Sequence, residues 1–274
     1  DYTYTNGILK AVGNKSIVYD GCGNITFNGR NNLEIDYNFL NLPMRIHSTD
    51  GQSVVNYRYL ADGSKFSATD DTGEGLIYIG SLVYRFRNGA YELDHAVFSQ
   101  GFFRKNHLIE NHEYVPVYYV CDHLGSPRSL IDHTGELMVL RNYYPFGKTW
   151  RRPTEPAYYD YYHFNGKEQQ TVGDAGLLDY GARFYDPDIA RWLTQDPLAD
   201  EYINHFQYCF CGNNPISMID RDGRDWIRNL ETDEYEWNDN VKSREDTPAG
   251  YEYIGAFDSD ILYDIGCLLY TSDA

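Results

Sequence analysis

The stretch "NNPISMIDRDGRDW", Asn213 to Trp226, places two aspartates one residue apart, directly before a glycine. Three structures use such an arrangement: a calcium-binding loop, a hairpin turn, and one half of a catalytic carboxylate pair. In an EF-hand loop with Gly223 at the sixth position, Met218 would be first and Asn229 twelfth, where Asp and Glu are needed. The calcium loop is therefore excluded, and the turn and the carboxylate pair remain open.

The composition predicts many strands and many tight turns around this stretch. The 274 residues include 27 Tyr and 24 Gly, and mean hydropathy is -0.58. Tyrosine suits a half-exposed sheet, because its ring packs while its hydroxyl reaches water. No run of about 18 apolar residues occurs, so no membrane span is predicted.

The net charge of -18 argues against nucleic acid as a partner, because phosphate binding needs a surplus of Lys and Arg. From residue 225 to 274 there are 13 Asp/Glu against 3 Lys/Arg, a net charge of -10, which predicts a composition boundary near residue 225. The chain begins at Asp1 without a signal peptide and is expected to be an internal piece of a longer protein. Residues 267–274, "CLLYTSDA", back-translate to a sequence like a transposon-end sequencing adaptor and are expected to be non-native.

The five cysteines form no CxxC pair and have no histidine at ligand spacing. Such a sparse, odd set predicts neither a disulfide framework nor a metal site. His123 and His163 also lack metal spacing and are expected to be structural or exposed. No cofactor is predicted.

Turn dipeptides punctuate the chain and alternate with short β-branched and aromatic segments such as "KSIVYD" and "VPVYYV". Asn-Gly and Asp-Gly supply the two positive-φ residues of a type I′ hairpin turn. The predicted turns are Asn6-Gly7, Asp20-Gly21, Asn28-Gly29, Asp50-Gly51, Asp62-Gly63, Thr72-Gly73, Asn88-Gly89, Thr134-Gly135 and Asn165-Gly166. The pattern predicts a chain of β-hairpins.

Similar hairpin segments recur, each placing Tyr beside a polar turn. Such a unit cannot bury its apolar face alone, so neighbouring units are expected to stack edge to edge into a curling sheet. Helix signals are few. Asn213 to Pro215 is expected to cap one short turn through Met218, and Asp188 to Leu193 is either a second turn or a loop into a strand.

The segments "YDGCGNITFNG", "YRYLADGSKF", "DHLGSPRSLIDHTGEL", "YYPFG", "FNGKE", "LLDYGARFYDPDIARWLTQDPLAD" and "NNPISMIDRDG" occur in this order between about Tyr2 and Gly223. Together they resemble an RHS/YD-repeat protein with a C-terminal RHS repeat-associated core domain, of the polymorphic toxin type. The long segment that ends in "QDPLAD", with "NNPISMIDRDG" downstream, is the most specific part of the resemblance.

The resemblance implies an all-β fold in which repeated hairpins spiral into a shell closed by a core domain with few short helices. The implied domains are repeat hairpins at 1–115, the core domain at 116–224, and the start of a variable region at 225–266. The implied role is to enclose and present that C-terminal effector domain. An immunity protein, secretion machinery, and a secreted or cell-surface bacterial location are further implications.

The resemblance also implies an aspartyl self-cleavage site near Arg224, with Asp196, Asp220 and Arg183 as its residues. Two nearby carboxylates share a proton, so that one activates water while the other polarises the scissile carbonyl. Arg183 would orient one carboxylate through a bidentate contact. Arg221 and Arg224 stand where the family's cleavage motif has Pro and Leu.

Two alternatives remain open at this point. Asp196 precedes a proline and Asp220 lies beside a Gly-containing turn, so each is also a plausible turn residue without a catalytic role. The Tyr-rich run "AYYDYYHFNG" favours sheet packing, but it also suggests a surface adhesin that binds carbohydrate through Tyr158 to Tyr162 without any cleavage.

Overall fold

The computed structural model describes residues 1–105, 114–150, 161–172, 175–197, 207–220, 223, 226–229, 235–236 and 249–254. Within these ranges the chain is almost entirely β-structure, which confirms the predicted fold class. The strands are β1 (Tyr2–Thr5), β2 (Ile8–Val12), β3 (Lys15–Tyr19), β4 (Ile25–Asn28), β5 (Leu33–Tyr37), β6 (Pro43–Ser48), β7 (Val54–Tyr59), β8 (Lys65–Thr69), β9 (Gly75–Ile79), β10 (Leu82–Arg87), β11 (Ala90–Phe98), β12 (Gly101–Lys105), β13 (Tyr114–Cys121), β14 (Pro127–Ile131), β15 (Leu137–Leu140), β16 (Asn142–Tyr143), β17 (Thr149–Trp150), β18 (Glu168–Val172), β19 (Ala175–Asp179), β20 (Phe184–Asp186), β21 (Arg191–Trp192), β22 (Trp226–Asn229), β23 (Tyr235–Glu236) and β24 (Tyr251–Ile254). Two 3-10 helices span Phe164–Gly166 and Cys211–Asn213.

Strands β1 to β15 form one sheet in which each strand pairs antiparallel with the next along the chain. Hairpin turns produce this order, because each turn places successive strands side by side. Among the described strands, β1 and β15 are the two edges of the sheet. The remaining strands form the pair β16–β17, the four-stranded sheet β18–β21, and a sheet of order β23-β22-β24.

Many hairpin turns share one geometry, illustrated by Asp132 to Glu136. The Asp132 N–H donates to the Glu136 carbonyl and the Gly135 N–H to the Asp132 carbonyl, both at 3.0 Å. The Asp132 carboxylate accepts the N–H groups of Thr134 and Glu136 at 2.8 and 2.9 Å. Gly135 alone in this turn has positive φ, +89°. This is a type I turn followed by a left-handed glycine, and a register shift in the β14–β15 pair accompanies it.

The type I′ prediction is confirmed at Asn6-Gly7, Asn88-Gly89 and Asn165-Gly166, where both residues have positive φ. It is wrong at Asp20-Gly21, Asn28-Gly29, Asp50-Gly51 and Asp62-Gly63, where only the glycine, or neither residue, has positive φ. The reason is local: an aspartate carboxylate, or at Asn28 an amide oxygen, accepts backbone N–H groups within its own turn and favours another turn geometry.

Three tyrosines connect their own strands to an earlier strand through their hydroxyl groups. Each donates its hydroxyl to a backbone carbonyl 12 or 16 residues earlier in the chain. Burial raises the pKa of all three hydroxyls, so each remains a donor. The hydrogen bonds are Tyr37 to Ile25 (2.9 Å), Tyr59 to Pro43 (2.8 Å) and Tyr143 to Pro127 (2.9 Å).

The apolar face of the large sheet packs against the four-stranded sheet. Strand β5 shows the underlying alternation, since Leu33 and Ile35 are buried while Glu34 and Asp36 are exposed. Burial of one such Leu or Ile side chain contributes about 1.5 to 3 kcal/mol. The shared core consists of Leu9, Ile17, Ile25, Leu33, Ile35, Ile46, Tyr57 and Ala68 with Leu177, Phe184, Ile189 and Leu193.

The two short turn predictions have different outcomes. The Met218 N–H donates to the Asn214 carbonyl at 3.1 Å, which confirms a single turn at this position. The stretch from Asp188 leads through a turn into β21, so the loop-and-strand option is the right one. In the part of the chain that the structure describes, no helix has the length and apolar character needed to cross a membrane.

Candidate functional site

The three residues implied by the family resemblance lie together in one buried cluster, the Arg183 cluster (Arg183, Asp196 and Asp220). Arg183 Nη1 lies 2.7 Å from Asp196 Oδ2, and Arg183 Nη2 lies 3.7 Å from Asp220 Oδ2. All three residues are at least nine-tenths buried. One guanidinium therefore bridges two carboxylates that are 24 positions apart in the sequence.

Short core strands position Arg183 and Asp196. Arg183 ends the tight turn between β19 and β20, where the Tyr180 N–H donates to the Arg183 carbonyl at 3.0 Å. The Asp179 carboxylate accepts the Gly181 N–H at 2.8 Å and holds the turn closed. Asp196 follows β21, which pairs with β20. The pairing of these strands brings both side chains to the same end of the four-stranded sheet.

The guanidinium of Arg183 has further partners that restrict its orientation. It lies over the ring of the fully buried Trp192, 4.3 Å from the ring centroid. Its Nε donates to the Gly223 carbonyl at 2.9 Å, and Nη1 donates to the Gln207 carbonyl at 3.5 Å. The cation is thus bonded to carboxylates and backbone at once, which fixes it more firmly than one ion pair would.

Asp220 takes part in a turn and in the cluster at the same time. Its Oδ1 accepts the Gly223 N–H at 2.6 Å, which is the turn interaction that the sequence allowed. Its Oδ2 faces Arg183. The turn and the carboxylate pair are therefore compatible, because the two oxygens of one carboxylate serve different partners. Asp222, Arg221 and Arg224 lie outside the described residues.

Neutral groups surround the Asp220 side of the cluster. Burial raises the pKa of the Cys211 thiol well above its usual value. Burial likewise raises the pKa of Tyr180. The thiol and the phenol therefore stay protonated at neutral pH.

The two carboxylates of the cluster differ in distance from Arg183 by 1.0 Å, from 2.7 to 3.7 Å. The two carboxylates are therefore not equivalent, and Asp196 makes the closer ion pair with the guanidinium. One charged and one protonated carboxyl beside a backbone carbonyl is the arrangement that peptide hydrolysis by an aspartate pair requires.

The remaining sequence candidates do not form a second catalytic constellation in the described ranges. Cys22, Cys121, Cys209 and Cys211 are free thiols, and no group of three metal-ligating side chains occurs there. Of the Tyr-rich run, Tyr161 stacks on His95 with centroids 4.3 Å apart, which is a packing role. Tyr158 to Asp160 and residues 267–274 lie outside the described residues.

Sequence reasoning missed a second buried charge cluster, the Lys65 cluster (Lys65, Glu168 and Asp179). Lys65 Nζ donates to Glu168 Oε2 and to Asp179 Oδ2, each at 2.6 Å. Glu168 and Asp179 face each other in the β18–β19 register, while Lys65 comes from β8 of the large sheet. No local motif marks such a site, because its members lie 103 and 114 residues apart.

Comparison with known proteins shows which of them the chain is similar to in sequence and in fold. The chain is 38% identical to the toxin subunit YenC1 of Yersinia entomophaga over 110 residues, 38% of this chain and 11% of that protein. It superposes on a chain in the Photorhabdus luminescens Tc holotoxin pore with a TM-score of 0.62 at 23% identity, over 75% of this chain and 10% of that one. This similarity to toxin subunits supports an RHS-repeat, toxin-like protein. This result confirms the family resemblance seen in the sequence.

The chain is also similar to a protein from an insect. The chain is 36% identical to salivary gland surface protein 1 of Aedes aegypti over 125 residues, 45% of this chain and 3% of that protein. No family model matches the chain. In each of these comparisons the matched part is a small fraction of the relative's own length.

Proposed function

We propose that this chain is a shell and core segment of an RHS-repeat toxin, and that its role is to enclose and present a C-terminal effector domain. The fifteen-strand sheet with a core packed on its apolar face supports this role, as does the similarity to a toxin subunit. The effector domain is the proposed partner, with an immunity protein and secretion machinery acting on the complete protein. The proposed location is secreted or on the bacterial cell surface.

The core segment is also proposed to cut the chain after Arg224. The observation that carries this proposal is the buried Arg183 cluster, whose guanidinium holds two carboxylates and the Gly223 carbonyl. Gly223 immediately precedes Arg224, so the peptide that would be cut is one residue away from a group bonded to Arg183. Because the Arg183 cluster is buried, water screens its charges little, and they interact more strongly than exposed charges would.

The proposed reaction is hydrolysis of the Arg224–Asp225 peptide bond. Asp196, paired with Arg183 at 2.7 Å, takes a proton from water as the water oxygen bonds to the Arg224 carbonyl carbon. Protonated Asp220 donates its proton to the carbonyl oxygen, which gives a neutral tetrahedral intermediate. The carbon–nitrogen bond then breaks as Asp196 passes its proton to the Asp225 nitrogen and Asp220 takes a proton from a hydroxyl of the intermediate. The products are a carboxyl group at Arg224 and a free amine at Asp225.

Intact-mass measurement on the complete gene product that contains this chain tests the cut. The expected result is a fragment that ends at Arg224 in the parent protein and its loss in Asp196→Asn and in Asp220→Asn. Asp71→Asn, at an exposed ion pair, is the matched control and should be cut like the parent. Circular dichroism confirms that each variant is folded. A fragment of the same mass and amount in folded Asp196→Asn would refute the proposed reaction.

A carbohydrate-binding adhesin is the second candidate. Tyr144 and Trp150 form a stacked pair with centroids 6.2 Å apart, and their side chains are 52% and 61% exposed. Exposed aromatic faces suit sugar rings. Glycan binding that is lost in Tyr144→Ala and Trp150→Ala, together with an intact mass of the parent protein, would favour the adhesin over the self-cleaving shell.

A further inference from the structure

A groove of about 370 Å³ opens next to the Arg183 cluster. Two neighbouring hairpin turns of the large sheet form one wall, through Leu40 and Leu42 of one turn and Asp62 of the next. Gly181, Ala182 and Pro197 of the core form the other wall. Ala182 directly precedes Arg183 and Pro197 directly follows Asp196, so the groove and the cluster share two chain segments.

The apolar wall of the groove is held in place by its own turn. The Asn38 side chain accepts the N–H groups of Leu40 and Leu42 at 2.9 and 3.0 Å. Leu42 is buried under the neighbouring turn, where it approaches Gly63, while Leu40 is 43% exposed and faces the open side. The groove therefore offers a preformed aliphatic surface.

Asp62 is the one charged residue among the described residues that line the groove. Its Oδ1 accepts the Ser64 N–H at 2.8 Å, which orients the carboxylate on the turn. That hydrogen bond also lowers the pKa of Asp62, so the group is negative at neutral pH. A ligand with an aliphatic stem and a cationic end fits such a surface.

The chain itself carries a side chain of this kind directly after Gly223 in the sequence. A methyl group built on Gly223 would lie 3.3 Å from the Arg183 nitrogen and 3.6 Å from the Ala182 side chain, so Gly223 lies against the segment that lines the groove. Residue 224 is an arginine, and its Cα is one peptide, about 3.8 Å, from that of Gly223.

We propose that the groove binds the side chain of Arg224, with its aliphatic stem against Leu40 and Pro197 and its guanidinium against the Asp62 carboxylate. Asp62 is then a specificity-determining residue for the proposed self-cleavage, on which this inference rests. Binding of this side chain holds the Arg224 carbonyl at the Arg183 cluster and selects arginine at the cut position.

The test follows the rate of self-cleavage in cell-free synthesis of the complete protein. We expect the rate to fall about threefold in Asp62→Asn and about tenfold in Asp62→Arg and in Arg224→Glu. The double variant Asp62→Arg with Arg224→Glu restores the pair with opposite charges and should recover most of the rate. Asp50→Arg is the matched control, because Asp50 also precedes a positive-φ glycine in a hairpin turn and should leave the rate unchanged.

The outcomes separate this inference from the proposed function. Cleavage that is lost in Asp196→Asn but unchanged in Asp62→Arg would overturn the groove assignment and leave the self-cleavage standing. A parent protein that stays intact would refute self-cleavage, and trypsin then tests the groove: cutting after Arg224 should be about threefold faster in Asp62→Asn than in the parent. The proposal is overturned if trypsin cuts the parent protein and Asp62→Asn at equal rates. It is also overturned if Arg224→Glu cleaves slowly and adding Asp62→Arg does not restore the rate. Either result would leave a glycan or a second copy as the occupant of the groove.

Discussion

The Lys65 cluster and the Arg183 cluster contain the same charges, one cation and two carboxylates, and both are buried, yet their geometry differs. In the Lys65 cluster the two distances are equal at 2.6 Å, whereas in the Arg183 cluster they are 2.7 and 3.7 Å. The guanidinium also bonds the Gly223 carbonyl, while the Lys65 ammonium lies 4.5 Å from the ring centroid of Tyr78.

The Lys65 cluster, with its two equal distances, has the properties of a site that stabilises the fold. The Tyr78 hydroxyl donates to Glu168 Oε1 at 2.6 Å, so a second donor stabilises the charged carboxylate. Although burial opposes the charged form of Lys65, Asp179 and Glu168 raise its pKa well above the usual value. Lys65 therefore stays charged across the physiological range. The asymmetric cluster instead leaves its two carboxylates unequal, and unequal carboxylates are what acid–base chemistry needs.

The largest expected effect comes from removing the cation of the symmetric cluster. Lys65→Ala leaves Glu168 and Asp179 opposite each other in a buried register, and we expect the free energy of unfolding to fall by about 3 to 5 kcal/mol. Urea denaturation measures the change, with Lys65→Arg as the charge-preserving control. A loss below about 1 kcal/mol would remove the structural role assigned to this cluster.

Asp186 differs from the carboxylates of both clusters, because it is buried against amide groups and not against a cation. Asp186 Oδ2 accepts the side-chain amides of Asn28 and Asn31 at 2.6 and 2.9 Å, and its Oδ1 accepts the Asp188 N–H at 2.8 Å. Burial raises the pKa of Asp186 from 3.8 to about 6. Because the folded pKa is the higher one, the stabilisation is fully present below about pH 4 and is lost as the pH rises through about 6.

We therefore expect the free energy of unfolding to drop by about 2 to 3 kcal/mol more in the parent protein than in Asp186→Asn between pH 4 and pH 7.5. The variant has no titrating group at this position, so it isolates the contribution of Asp186 from that of other carboxylates. Denaturant titrations at the two pH values measure the difference. Equal pH dependence in the two proteins would contradict the assigned pKa.

The smallest effect is expected at an exposed ion pair. Arg45 Nη2 lies 3.0 Å from Asp71 Oδ2, but the side chains are 43% and 54% exposed, so solvent screens the attraction. Arg45→Ala should lower the free energy of unfolding by no more than about 1 kcal/mol. A loss as large as that of Lys65→Ala would show that burial is not what separates these pairs.

The hairpins were predictable because their signals are local. Alternating apolar residues, Tyr and turn glycines specify strands and their order without knowledge of distant contacts. The turn type was predicted less well, because Asp132 and equivalent aspartates accept N–H groups from their own turns and favour type I geometry. The members of the Arg183 cluster were identified through family motifs, and their distances came only from the fold.

The sequence by itself determined that this chain is built of repeated β-hairpins, since period-2 patterning and turn residues act over a few positions. The tertiary structure alone decided which charges share a buried space. Lys65 and Asp179 are 114 positions apart, and Asn28 and Asp186 are 158 apart. The residues that flank them in the sequence therefore carry no signal of these contacts. Their pairing depends on how the large sheet curls onto the core, where burial removes water and makes the geometry of each charge matter.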